Sequence, residues 1–206
     1  MAACFAAGSA CFVVAPFPGY LDLVGARADA LTFFAGSILF TLGGALQSAL
    51  AFGHRHHAGG SAAWWAAIVQ SAGTLFFNVT TFRALDTPAT AAGYDPLVWR
   101  PDALGSICFL VSGLIAYRAA PRHGLAPVRG GAGWWEPAVN LLGCVLFGVA
   151  AIAGYVVPAR GSILNLAAAN WATALGAACF LACAVGTLRS GGTAKAPHRR
   201  RQHAVA

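Results

Sequence analysis

Two stretches of the chain decide its fold: WWAAIVQSAGTLFF at residues 64–77 and WWEPAVNLLGCVLF at residues 134–147. They align without gaps, and each begins with two tryptophans and carries an amide, a glycine and a phenylalanine at matching positions. These positions are Gln70, Gly73 and Phe77 in the first stretch and Asn140, Gly143 and Phe147 in the second. Both stretches are continuous apolar runs, which favours helices over alternating strands.

The glycine and phenylalanine recur at the same spacing along the whole chain. Each of six apolar stretches contains a glycine that is followed four residues later by a phenylalanine. The glycines are Gly8, Gly36, Gly73, Gly105, Gly143 and Gly176. Residues at this spacing share a helix face, and small residues let helices approach closely in lipid. The pattern therefore predicts that each glycine lies at a helix–helix contact, with a ligand role for the phenylalanines as the alternative.

The composition indicates a membrane protein. Hydrophobic residues make up 58% of the 206 residues and charged residues only 9%, against roughly 25% charged residues in soluble domains. A helix needs about 20 mostly apolar residues to cross a bilayer. We predict an all-α, polytopic fold with transmembrane helices at about residues 2–19, 30–52, 62–82, 102–119, 134–157 and 163–188.

These helices are expected to form one transmembrane domain over residues 1–188. The shared patterns group them into three tandem helical hairpins, at about residues 2–52, 62–119 and 134–188. The basic tail, residues 189–206, is predicted to be disordered and to attract anionic lipid. The net charge of +7 is explained by this topology, so nucleic-acid binding is not expected.

The distribution of basic residues predicts the orientation. Nine Lys and Arg residues fall in the even loops and the C-terminal tail, against four in the odd loops. Cytoplasmic loops collect Lys and Arg, which places both termini in the cytoplasm of a multi-pass protein of the plasma (inner) membrane. A homo-oligomer or another membrane partner is left open.

Two segments carry a resemblance to a known family. The stretch FFAGSILF at residues 33–40 and the stretch VWRPDALGS at residues 98–106 resemble the signature of YrhK-like membrane proteins. The resemblance covers about residues 28–117 and implies a short helical hairpin, which this chain would repeat. That family is functionally uncharacterised, so the resemblance implies a fold and no activity.

Amide side chains are the main polar groups inside the predicted helices. They are Gln47, Gln70, Asn78, Asn140 and Asn170. Polar groups in lipid face the bundle interior, where they find partners. We expect them mainly to hydrogen-bond to neighbouring helices, and the alternative is a polar path for a solute along the repeat axis.

The motif Trp99-Arg100-Pro101-Asp102 opens the fourth predicted helix at the outer face. Proline in the first turn and an acid beside it are ordinary helix-start signals. Arg100 could reach the interface or pair with an acid of the outer loop. A motif that grips a ligand at the outer face is the alternative.

Other groups give weaker signals. His54, His56 and His57 lie in a short loop without a nearby carboxylate or cysteine, so we expect no metal site, even with His123, His198 and His203 on the same side. The six cysteines lie within the predicted helices and are expected to act as small apolar groups. No predicted helix carries a central charge or a histidine, which argues against proton relays and against haem.

The leading functional hypothesis is a non-enzymatic membrane protein of structural, sensory or partner-binding type, without a cofactor. The alternative is a small-solute transporter or channel whose buried amides line the repeat axis. The missing charges argue against ion-driven transport but not against a passive path.

Overall fold

The computed structural model describes residues 1–57, 60–91, 93–120, 122–123, 126–127 and 133–193. Within these ranges the chain is mostly helical, as predicted for an all-α fold. The α-helices are α1 (Ala2–Val14), α2 (Pro18–Val24), α3 (Ala26–His54), α4 (Gly60–Ala84), α5 (Arg100–Ala119), α6 (Glu136–Ala153) and α7 (Leu166–Thr193). A π-helical turn, Asp95–Trp99, leads directly into α5.

The six long helices form a closed ring. Each of them packs against its neighbour along the chain, from α3 on α4 through α6 on α7. Helix α1 closes the ring because it contacts both α3 and α7, while the short helix α2 packs against α3. The six helices therefore surround one common central axis.

Glycines bring the helices of each neighbouring pair close together. A Cβ atom on Gly73 would lie 2.7 Å from Phe109 Cδ1 and 3.0 Å from the carbonyl oxygen of Gly105. In return, a Cβ atom on Gly105 would lie 3.2 Å from the Phe77 ring. The same reciprocal contacts join Gly8 with Gly36 and Gly143 with Gly176. Only glycine allows this approach, because the neighbouring backbone already occupies the space of a side chain.

Six phenylalanines, one from each long helix, meet at the centre of the ring. They are Phe12, Phe40, Phe77, Phe109, Phe147 and Phe180. Each is between 2% and 6% exposed, and contacting rings lie with centroids 5.0–6.5 Å apart. All of them except Phe180 line, together with Ser37, a void of about 10 Å³, which has room for about one water molecule. We call this group the phenylalanine layer.

The outside of the ring is apolar. Leu75 is 57% exposed, Ile107 is 55% exposed and Ile152 is 67% exposed. Four helical segments are long and apolar enough to cross a membrane, namely Ala26–His54, Asp95–Ala119, Glu136–Ala153 and Leu166–Ser190. Large exposed apolar surfaces of this kind mark membrane contact. Helix α4 is not among the four, since its hydroxyl and amide side chains lower its hydropathy.

The first predicted helix, residues 2–19, is shorter than expected. Helix α1 ends at Val14, and α2 leaves it at an angle of 92°. Pro16 and Pro18 explain the break, because proline lacks a backbone N–H and Pro18 is well suited to start a new helix. Only together are the two helices long and apolar enough to cross a membrane.

Several further boundaries differ from the prediction, among them the start of the sixth helix at Leu166 rather than at residue 163. The fifth helix ends at Ala153 rather than at residue 157, because β3 (Val156–Val157) pairs with β4 (Ser162–Ile163) in a short antiparallel hairpin. A second hairpin joins β1 (Arg122–His123) with β2 (Ala126–Pro127). The tail predicted to be disordered from residue 189 starts as helix, since α7 continues to Thr193. Residues 194–206 of that tail lie outside the described ranges.

Candidate functional site: two cavities on the helix axis

The phenylalanine layer separates two cavities that lie on the same axis. We call the first the amide cavity, because Gln47, Gln70 and Asn140 line it together with Ser112 and Glu136. Its volume is about 210 Å³. Phe40 and Phe180 of the phenylalanine layer form its floor. The lining residues come from all six long helices, so the ring as a whole builds this site.

The amides of this cavity do not bond to neighbouring helices. Within the described ranges, Gln47, Gln70 and Asn140 have no hydrogen-bond partner, whereas Ser112 donates to the Ala66 carbonyl oxygen at 2.8 Å. Each amide carries two donor hydrogens and one acceptor oxygen. Three amides with free hydrogen-bonding capacity therefore face one space, unlike the paired arrangement that we expected from the sequence.

Gln70 and Asn140 lie at matching positions, three residues before Gly73 and Gly143. The structure brings them to the same cavity. Phe5 holds the corresponding position in α1 and also lines the cavity. The wall at this level is therefore polar on two sides and aromatic on the third.

The remaining two amides are placed elsewhere. Asn78 donates to Thr41 Oγ1 at 2.7 Å and joins α4 to α3, outside both cavities. Its side-chain oxygen is buried without a partner among the described residues. Asn170 lines the second cavity, on the other side of the phenylalanine layer. The five predicted amides thus split into a cluster of three and two separate residues.

The second cavity is larger and acidic. It has a volume of about 320 Å³ and is lined by Asp29 of α3 and Asp102 of α5, with Tyr94 and Trp99 in its wall. We call it the acidic cavity. Three residues of the phenylalanine layer close it on the inside, namely Phe12, Phe77 and Phe147.

The residues of the outer-face motif separate into two environments. Arg100 Nε donates to Asp95 Oδ2 at 2.8 Å in an exposed ion pair. Trp99 points the other way, since its Nε1 donates to the Ala151 carbonyl oxygen at 2.8 Å. Asp102 lines the acidic cavity and makes no ion pair with a described residue. The motif therefore holds one surface pair and one inward carboxylate.

Two residues of the acidic cavity were not singled out from the sequence. Asp29 lies seven residues before Gly36, on the same helix face, so the glycine pattern could have placed it inside the ring. Tyr94 precedes the π-helical turn, and no periodic pattern includes it. Burial and the neighbouring Asp102 carboxylate raise the pKa of Tyr94, which indicates that the two side chains are close.

The histidines and cysteines contribute to neither polar cluster as ligands. Nδ1 of His54 lies 3.0 Å from the Leu50 carbonyl oxygen in an exposed position. His198 and His203 lie outside the described ranges, and the side chain of His123 is not described. In the part of the chain that the structure describes, no group of three His, Cys, Asp or Glu residues is arranged to hold a metal ion. The six cysteines are free thiols.

Comparison of the chain with family models, curated proteins and solved structures finds no match.

Proposed function

We propose that the chain is a multi-pass membrane protein whose six long helices cross the plasma membrane as three tandem hairpin repeats. The closed ring, its apolar outer surface and the reciprocal glycine contacts within each pair of helices support this arrangement. The basic loops favour cytoplasmic termini. The resemblance of residues 33–40 and 98–106 to YrhK-like proteins is part of this proposal and implies a repeated hairpin.

Within this arrangement, the protein binds a small polar solute in the amide cavity and carries it along the axis. The observation behind this proposal is the convergence of Gln47, Gln70 and Asn140 on one cavity without partners. These half-buried amides present free donor and acceptor atoms to the cavity. A solute with hydroxyl or amide groups would supply these partners, and this favours the transporter hypothesis over a purely structural role.

In this proposal, the phenylalanine layer is the barrier that a solute must pass. A void of about 10 Å³ cannot pass a solute, so the conformation described here is closed at its centre. Passage would require the hairpins to move apart at the layer, in the manner of rigid-body transporter repeats. A sensory or partner-binding membrane protein is the second candidate, and the tight packing of this layer is the observation that favours it.

Uptake into proteoliposomes tests the proposal. The probes are urea, glycerol and glucose, and the variant replaces Gln70 and Asn140 together with leucine. We expect the parent to accelerate uptake of at least one probe and the double variant to lose most of that acceleration. Asn78→Leu is the matched control, because this amide pairs with Thr41 away from the cavity. Uptake no faster than in empty liposomes, or equal in the double variant, would contradict the proposal.

A further inference from the structure

The acidic cavity holds two carboxyl groups without a basic partner among the described residues that line it. Asp29 and Asp102 are its two acidic residues, and none of the residues that line it is Lys, Arg or His. Arg27 and Arg100 each lie two residues before one of these acids along the chain, but neither lines the cavity, and Arg100 pairs with Asp95 on the surface. Carboxylates removed from water are costly unless they are paired. The cavity therefore favours a positively charged occupant.

The lack of hydrogen-bond partners at the two carboxylates also favours a cationic occupant. Oδ1 of Asp29 is buried and has no hydrogen-bond partner within the described ranges. Asp102 likewise has no hydrogen bond or ion pair to a described residue, although it faces the cavity. Both carboxyl groups thus lie at the wall of the same space without a partner that would neutralise them, so a cationic group in the cavity could sit beside them.

The walls of the cavity favour an organic cation over a metal ion. Aromatic rings line it from several helices, including Phe33, Tyr94 and Trp99. Aromatic faces attract ammonium groups within about 6 Å of the ring centroid. Hard metal ions instead need about six oxygen ligands, and the described part of the chain holds no cluster of three acidic or metal-binding side chains.

We propose that the acidic cavity binds a small organic cation of the ammonium class, held between the Asp29 and Asp102 carboxylates and the aromatic wall. The cavity volume of about 320 Å³ suits a molecule of this size. The site lies on the opposite side of the phenylalanine layer from the amide cavity. Binding in this cavity is measured without transport, so failure of this proposal and failure of the transport proposal are distinguishable.

Calorimetric titration of the purified full chain in detergent tests the site. The probe is tetramethylammonium chloride, with tert-butanol as its uncharged analogue of similar shape and sodium chloride as the inorganic control. We expect saturable binding of tetramethylammonium alone. Asp102→Asn and Asp29→Asn should each weaken it about tenfold or more, because each removes one charge next to the cation. Asp86→Asn should leave the affinity unchanged, since Asp86 is exposed and is not among the residues that line this cavity.

Three results would overturn the proposal. Equal binding of tert-butanol would show that the site recognises shape rather than charge. Displacement of tetramethylammonium by equimolar sodium would assign the site to an inorganic cation. Unchanged affinity in both asparagine variants, each with the parent's melting temperature, would show that the two carboxylates do not hold the ligand.

Discussion

The amide cavity and the acidic cavity occupy opposite ends of one helix ring, but their chemistry differs. The first presents three uncharged amides and one carboxylate, and the second presents two carboxylates among aromatic rings. Both share the phenylalanine layer as their floor. The comparison teaches that the repeated glycine and phenylalanine positions build a common frame, while positions two or three turns away from the layer set the chemistry of each end.

Removal of a ring from the phenylalanine layer should have the largest effect on stability. Phe109 is 2% exposed and contacts rings from four other helices, so Phe109→Ala should cost about 3–5 kcal/mol of unfolding free energy. It should also connect the two cavities. Denaturation in detergent measures the cost. Phe82→Ala is the control, because Phe82 is 54% exposed on the outside of the ring. Equal losses in both variants would contradict the central role of the layer.

A smaller loss is expected from a methyl group at a glycine contact. Gly73→Ala places a Cβ atom 2.7 Å from Phe109 Cδ1 and 3.0 Å from a backbone oxygen. The overpacking should cost about 1–3 kcal/mol. Gly53→Ala is the matched control in a neighbouring helix, because nothing lies within 4 Å of its added Cβ atom. Thermal melting of both variants checks this, and an unchanged midpoint for Gly73→Ala would refute close packing there.

The smallest expected effect is the difference in stability between replacing a paired amide and replacing an unpaired one. Asn78→Leu removes the bond to Thr41, and we expect a loss of about 0.6 kcal/mol, the average for such bonds in membrane proteins. Gln70→Leu removes no hydrogen bond to a described residue, so its stability should equal or exceed that of the parent. Parallel melting curves provide the measurement. A larger loss for Gln70→Leu than for Asn78→Leu would mean that Gln70 is paired in the folded protein.

The sequence predicts the helical fold and part of the amide cavity, for reasons that are local. Continuous apolar runs specify helices, and the four-residue spacing puts each glycine and phenylalanine on one face. The matched positions of Gln70 and Asn140 likewise put them at one level of the ring. Each of these features depends only on the periodicity of a single helix or on the comparison of two helices.

The other features depend on contacts between distant segments. Whether an amide is paired depends on its neighbour across the interface, and Thr41 opposite Asn78 could not be foreseen from spacing alone. The acidic cavity needs the π-helical turn that brings Tyr94 towards Asp102. The break after Val14 had a visible signal in Pro16 and Pro18, but the predicted helix of residues 2–19 ran through both.

The central claim is that a closed phenylalanine layer divides two cavities on opposite sides of the membrane. Thr187 and Thr173 offer a matched pair on α7: the first lines the amide cavity, the second lines the acidic cavity, and each donates to the carbonyl oxygen four residues earlier. Thr187→Cys and Thr173→Cys, in a chain whose native cysteines are replaced by alanine, are treated in oriented vesicles with a membrane-impermeant thiol reagent.

The decisive measurement is the side from which each new cysteine is modified. We predict that reagent on one side labels Thr187→Cys only and that reagent on the other side labels Thr173→Cys only. Labelling of both cysteines from the same side, or of either cysteine from both sides, would contradict the division of the axis by the phenylalanine layer.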